Sequence, residues 1–193
     1  MSTYIPLGKN PKSAEERKEL IGKRIELEDY LSHLELPQVQ RRIVEFLMAD
    51  KGYGQADMEV NKEFHVALPE LSFPVKADIV LKIGDMRFLA LKCVMSSMES
   101  WERHSLAFCR VADTSQIPYA VVTDGEGARL IDVIKGGVIS EGLDAIPSRQ
   151  DAVRMAQEYA SCPYAKERCE REKRILHAFE AIKCSTNPGD ENL

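Results

Sequence analysis

The chain has no apolar stretch long enough to cross a bilayer. A transmembrane helix needs about 18 or more consecutive apolar residues, and no such run occurs among the 193 residues. The first residues, from Met1 to Leu7, also lack the apolar core of a secretory signal. We therefore expect a cytoplasmic protein with no membrane partner.

Cysteine is present, but without the spacing of a metal site. None of the five cysteines pairs with another as Cys-x-x-Cys, and an odd number in a cytoplasmic chain argues against a disulfide framework. Cys162, Cys169 and Cys184 are grouped in the C-terminal part. Because an iron–sulfur cluster needs four thiolates in compact spacing, we expect no iron–sulfur cluster, no zinc site and no organic cofactor.

An excess of positive charge is missing as well. The formal net charge is −5. Proteins that bind nucleic acid tightly and without sequence preference owe much of their affinity to Lys and Arg side chains that neutralise phosphates. Any contact with DNA must therefore be local.

Apolar periodicity and turn residues divide the chain into helices and strands. They predict a helix from Ser13, a helix over 36–50, strands over 58–68, 75–83 and 86–94, a helix over 97–112, strands over 119–123 and 128–133, and helices over 150–160 and 163–183. This order predicts an α/β sandwich with a mixed sheet. We expect an N-terminal arm over 1–19, a core domain over 20–146 and a helical extension over 147–193, with a disordered tail from Ser185.

The clearest chemical pattern lies in two neighbouring strands. Asp78 is early on the first, Lys92 is late on the second, and Ala90 precedes that lysine by two positions. Mg²⁺ is a hard cation that proteins hold with one or two carboxylates, while a nearby lysine orients the attacking water or stabilises charge. One aspartate without a second carboxylate holds Mg²⁺ weakly. On this hairpin alone, an ordinary ion pair or solvated surface residues are the favoured interpretation.

The alternation of side chains assigns each residue of this hairpin to a face. One face takes Ala77, Ile79, Leu81, Ile83, Leu89, Leu91 and Cys93, and the other takes Asp78, Val80, Lys82, Phe88, Ala90 and Lys92. A strict two-residue turn at Gly84-Asp85 would place Asp78 opposite Leu91 and break this match. We therefore predict an irregular turn or a one-residue bulge.

Five short motifs follow one another along the chain. They are Gln40-Arg-Arg-Ile-Val-Glu-Phe-Leu, Lys51-Gly-Tyr, Ala77-Asp-Ile-Val-Leu, Leu89-Ala-Leu-Lys-Cys and Ile117-Pro-Tyr-Ala-Val-Val-Thr-Asp-Gly-Glu. Their order and spacing resemble the N-terminal nuclease-type domain of type I restriction enzyme R subunits, in the PD-(D/E)XK superfamily. The resemblance implies a restriction-endonuclease-like fold over 20–146 and Mg²⁺-dependent hydrolysis of DNA phosphodiesters.

The resemblance also implies roles for individual residues. The metal-binding aspartate falls on Asp78 and the catalytic lysine on Lys92, whereas the glutamate of the motif falls on Ala90. Glu45, on the first core helix, matches a further metal-binding carboxylate, with pairing to Arg41 or Arg42 as the alternative. Other candidates for the second carboxylate, each otherwise a solvated surface residue, are Glu63, Glu99 and Glu102.

The expected function follows from Ala90. We expect a free-standing domain that descends from Mg²⁺-dependent DNA nucleases and whose catalysis is impaired. The alternative is a non-catalytic interaction or dimerisation module that keeps the fold. We expect the last helix to be half docked and half solvated, or packed against a second subunit. As an interaction module it would bind a second copy or another protein through its apolar positions, which are Ile175, Leu176, Phe179 and Ile182. DNA is the other expected partner.

Overall fold

The structure is a computed structural model that describes residues 13–32, 37–159 and 164–186. Residues 1–12 of the expected arm, Cys162 and residues 187–193 of the expected tail lie outside this range. The helices and strands are α1 (Ala14–Ser32), α2 (Gln38–Ala49), β1 (Met58–Ala67), β2 (Ser72–Ile83), β3 (Met86–Cys93), α3 (Glu99–Val111), β4 (Tyr119–Thr123), β5 (Ala128–Asp132), β6 (Gly137–Glu141), α4 (Arg149–Glu158) and α5 (Lys166–Thr186). Among the described helices, none has the length and apolar character needed to span a membrane.

The six strands form one mixed sheet in sequence order, from β1 to β6. β3 and β4 run parallel, and every other neighbouring pair is antiparallel. A parallel connection needs a crossover, which α3 supplies between β3 and β4. The mixed sheet predicted from the sequence is confirmed. β6 was not predicted because four of its five residues are exposed, so it lacks the alternation of a half-buried strand.

Helices cover both faces of the sheet. α2 and α4 pack on one face, where the buried side chains include Ile43, Leu47, Ile79, Leu81, Leu89, Leu91, Val121, Leu130 and Ala152. α3 and α5 pack on the other, where they include Phe64, Phe73, Val75, Ala77, Val80, Ala90, Phe108, Val122 and Leu176. The result is a three-layer α/β/α sandwich.

The helix ends agree largely with the sequence. The Ser13 hydroxyl accepts a hydrogen bond from the Glu16 N–H at 3.1 Å, and the Ser148 hydroxyl accepts one from the Asp151 N–H at 3.1 Å. Both serines are thus the helix caps that their sequence context indicates. α5 differs, because it continues through Ser185, where the sequence predicts the start of a disordered tail.

The β2–β3 hairpin contains the predicted bulge. Gly84 adopts a left-handed φ of +60° in the turn. Lys82 pairs with Arg87, but Leu81 pairs with Leu89, so Phe88 is an extra residue on β3. The shift places Asp78 opposite Lys92, so both side chains lie on the same face of the hairpin, as predicted.

Two of the facial assignments are wrong. Phe88 packs in the core under α2 rather than beside Ala90, because the extra residue reverses the alternation at that point. Ala77 packs under α3 rather than with Ile79. Ala77 faces the other way because the ladder between β1 and β2 is interrupted at the next residue, Asp78, and the alternation of side chains changes there.

Candidate active site

Asp78 and Lys92 meet across β2 and β3. The Lys92 Nζ lies 3.0 Å from Asp78 Oδ1 and 2.9 Å from Oδ2. The side chains are 16% and 17% exposed, respectively, so the ion pair is largely removed from water. The sequence therefore identified a real pair of neighbours.

The carboxylate of Asp78 has a further donor within the chain. The backbone N–H of Cys93 donates to Asp78 Oδ2 at 2.8 Å. Together with the lysine, this contact gives each carboxylate oxygen at least one close donor. The charged side chain is thus held between a lysine and the end of β3.

A buried glutamine holds the backbone of Asp78. The Gln40 Nε2 of α2 donates to the Asp78 carbonyl at 2.7 Å and to the Asn61 Oδ1 at 3.1 Å. Asn61 has a φ of +56°, the sole positive φ of a non-glycine residue in the described chain. Strand pairing skips Asn61 and Asp78, although Val60 pairs with Ile79 and the residues beyond pair as well. The glutamine therefore satisfies the carbonyl that the interrupted ladder leaves unpaired.

Sequence reasoning did not single out Gln40 as a site residue. Its spacing to Ile43, Val44 and Leu47 places it on the apolar face of α2, and all four side chains are buried. A glutamine on such a face must find a buried partner. That pattern was the available signal, but it does not identify Asp78 as the partner.

Ala90 lies beside the ion pair, at a small cavity. The cavity has a volume of about 10 Å³, which is about the smallest space that can hold one water molecule. Lys76, Ala77, Leu91, Lys92, His104, Ser105 and Phe108 line it with Ala90. No carboxylate contributes to this lining, so the position that the family motif gives to a glutamate is occupied by a methyl group.

The other two residues expected to bind metal have partners elsewhere. Glu45 Oε1 accepts a hydrogen bond from Arg41 Nε at 3.3 Å, one turn earlier on α2. This is the alternative pairing considered for it. Glu63 is on an exposed stretch of β1, and its carboxylate lies 3.5 Å from His65 Nε2. Neither contact brings a second carboxylate to Asp78.

Glu99 and Glu102 of α3 both contact an arginine on β5. The guanidinium of Arg129 pairs with Glu99, with Glu102 at 3.0 Å and with Glu141 at 2.9 Å. Arg129 thus binds three carboxylates next to β5, which is separated from β2 by two strands. Their arrangement explains why these glutamates lie apart from Asp78.

Two cysteines near the hairpin, Cys93 and Cys109, have thiols that stay protonated at neutral pH. Burial, reinforced by the nearby Asp78 carboxylate, raises the pKa of the Cys93 thiol to about 12. Burial also raises the pKa of Cys109 well above its ordinary value. Across residues 13–32, 37–159 and 164–186, no three His, Cys, Asp or Glu side chains are grouped so that they could hold a metal ion.

Comparison with known proteins agrees with the fold and with the order of the motifs. The model of the family described as type I restriction enzyme R protein N terminus matches residues 37–147, which is more than half of the chain. Searches of curated proteins and of solved structures find no match. The chain therefore belongs to the type I restriction enzyme R protein N-terminus family, and its six-stranded mixed sheet with flanking helices is a restriction-endonuclease-like fold.

Proposed function

We propose that this restriction-endonuclease-like domain no longer cleaves DNA and keeps Asp78 and Lys92 as a structural ion pair. The observation that carries the proposal is the environment of Asp78. Lys92 and the Cys93 N–H engage its carboxylate, and Ala90 supplies no second one. In this role the pair joins β2 to β3.

The residues present do not fit a Mg²⁺ site. Mg²⁺ prefers octahedral oxygen ligands at 2.0–2.1 Å, so proteins hold it through carboxylates that remain open to the ion and its waters. Asp78 would have to give up its lysine and offer the ion a single carboxylate. Glu45 would in turn have to leave Arg41. Both exchanges disfavour the ancestral arrangement, in which Asp78 and Glu45 bind metal and Lys92 orients water.

A cleavage assay tests the proposal. Supercoiled plasmid, linear duplex and single-stranded DNA are incubated with excess protein and Mg²⁺ or Mn²⁺, and Asp78→Asn is the matched control. We expect no cleavage above the level of the control. Cleavage by the wild-type protein that Asp78→Asn abolishes would refute the loss of activity.

A gain-of-function variant tests the reason for the loss. Ala90→Glu adds a carboxylate beside Asp78, and Ala90→Gln adds a side chain of the same size without charge. We expect Mn²⁺ binding, measured by calorimetry, to appear in Ala90→Glu and not in Ala90→Gln. If both variants are folded and neither binds Mn²⁺, the missing carboxylate is not what removed the metal.

The second candidate is an interaction module that uses α5. This helix packs on the chain itself through Leu176, which is fully buried, and leaves Ile182 61% exposed. The apolar face available to another molecule is therefore small. We expect a monomer in light scattering, and a stable dimer that Ile182→Ser disrupts would favour the interaction module.

A further inference from the structure

Two arginines of α3 converge on one glutamate of α5. Arg103 Nη2 lies 2.6 Å from Glu172 Oε2, and Arg110 Nη1 lies 3.2 Å from Oε1. The Tyr164 hydroxyl lies 3.3 Å from the same Oε1. The Glu172 side chain is only 5% exposed, so these charges meet away from water.

Donors and acceptors are poorly matched in this arrangement, because Glu172 Oε2 makes no hydrogen bond of good geometry within the described residues although it lies 2.6 Å from Arg103 Nη2. Arg110 Nη2 reaches the Val133 carbonyl at 3.2 Å. Arg103 Nη1 and Arg110 Nε are buried and have no hydrogen-bond partner within the described residues. Two guanidinium groups carry two positive charges against the single charge of Glu172. A tetrahedral oxyanion such as a phosphate group presents acceptor oxygens in more directions than a planar carboxylate, so it suits two converging guanidinium groups better.

α5 also covers aromatic and cationic groups next to the Asp78–Lys92 pair. The Trp101 ring centroid lies 5.5 Å from Lys92 Nζ and 6.1 Å from the centroid of Phe179 on α5. Nearby, His104 Nε2 lies 3.0 Å from a carboxylate oxygen of Glu180. Glutamates of α5 thus face the basic side chains of α3 at both points. Arginines beside an aromatic ring are, once uncovered, groups that contact nucleic acid.

We propose that α5 masks a nucleic-acid backbone-binding face of α3 and that Glu172 occupies the place of a phosphate. This goes beyond the proposed function, which concerns the loss of cleavage and says nothing about the binding of DNA. Displacement of α5 exposes Arg103, Arg110 and Trp101 together. DNA and α5 therefore compete for α3, and weakening the docking of α5 must tighten the binding of DNA.

The test uses the full chain and fluorescein-labelled DNA, single-stranded and duplex, in anisotropy titrations at low salt. Glu172→Gln removes the masking charge, and Leu176→Ala loosens α5 without changing charge. Glu167→Gln is the charge-matched control, since Glu167 is an exposed residue of the same helix. We expect each loosening variant to bind DNA about tenfold more tightly than the control, a ratio ordinary for coupled sites. Adding Arg103→Ala to Glu172→Gln should abolish the gain.

Other outcomes decide against the proposal. A folded Glu172→Gln protein, verified by circular dichroism, that binds DNA no more tightly than Glu167→Gln overturns it. So does a gain that Arg103→Ala leaves intact, or binding of polyglutamate in preference to DNA. Hydrogen exchange of α5 must rise when DNA is added to the wild-type protein, and unchanged exchange at saturating DNA contradicts masking. These readouts are independent of cleavage, so an active wild-type enzyme would refute the proposed function and leave the masking result to be judged separately.

Discussion

Asp78 and Lys92 should both stabilise the fold, and two uncharged substitutions measure by how much. Asp78→Asn keeps the shape of the side chain and an oxygen that can accept from the Cys93 N–H, but it removes the negative charge. Lys92 is then left without its partner in a largely buried position. A charge without its partner in such a place is costly, so the variant should be less stable than the wild type.

The magnitude follows from the burial of the pair. Breaking a fully buried ion pair by removing one partner costs about 3–5 kcal/mol. Asp78 and Lys92 remain 16% and 17% exposed, so solvent screens part of the charge that is left. We therefore expect Asp78→Asn to lower the free energy of unfolding by about 2–3 kcal/mol. For a chain of this size each kcal/mol lowers Tm by about 2–4 °C, so Tm should fall by about 4–12 °C.

A double-mutant cycle separates the pair from its surroundings. Lys92→Met removes the positive charge and keeps an unbranched side chain. The double variant lacks both charges and should be more stable than the sum of the single effects predicts, by at least about 1 kcal/mol, because neither charge is left unpaired.

Urea unfolding followed by circular dichroism gives these free energies. The single tryptophan, Trp101, provides a second probe, since its ring lies 5.5 Å from Lys92 Nζ. If Asp78→Asn is as stable as the wild type, or more stable, the reasoning is refuted. A gain in stability would indicate a strained functional carboxylate, as in sites where activity is maintained at the expense of stability.

Two further predictions concern stability elsewhere in the sheet. A hydrogen bond from the Arg87 guanidinium lowers the pKa of Glu59 below its ordinary 4.5; the stabilisation is therefore present above pH 4.5 and is lost as the pH falls further. Between pH 5 and 3, the free energy of unfolding in urea should fall more steeply with pH for the wild type than for Arg87→Met. Equal slopes would contradict this assignment. In the same assay, Asn61→Ala should lower the free energy of unfolding by about 1–3 kcal/mol, because alanine loses the Gln40 contact and is strained at a φ of +56°. Gly removes that strain, and if Asn61→Gly is no more stable than Asn61→Ala, backbone strain is not the cause.

The hairpin shows how far local rules reach. The alternation of side chains required Asp78 to lie opposite Lys92, and a strict two-residue turn without a bulge was incompatible with that pairing, so an irregular turn or a bulge had to be present. The hairpin keeps the two-residue turn, since Ile83 pairs with Met86, and the bulge supplies the shift. The position of the bulge was not predictable. Phe88 is the extra residue because its ring packs in the core under α2, which is a tertiary contact that the hairpin sequence does not contain.

The surroundings of the candidate site depend on contacts between distant residues. Gln40 reaches Asp78 from a helix 38 residues earlier in the chain, and Arg129 on β5 draws Glu99 and Glu102 away from the hairpin. Ala90 was visible in the sequence as a missing carboxylate. Whether another glutamate replaced it depended on these pairings, which no local periodicity encodes.

α5 illustrates the same limit. Its apolar positions predicted a helix that is partly docked, on this chain or on a second subunit. The choice between them depends on Leu176 fitting beside α3 and on Glu172 meeting Arg103 and Arg110. Side chains of this kind pair in the same way within a chain and between chains, so the sequence left both arrangements open.

Metal binding by the wild-type protein tests the central claim most directly. Calorimetric titration with Mn²⁺ and Mg²⁺, compared with Asp78→Asn, reports whether Asp78 can leave Lys92 and accept an ion. The structural ion pair predicts equal and negligible heats for the two proteins and no rise in Tm with either ion. Binding that depends on Asp78, with a matching rise in Tm, would contradict the structural ion pair and would show that Asp78 is a metal ligand.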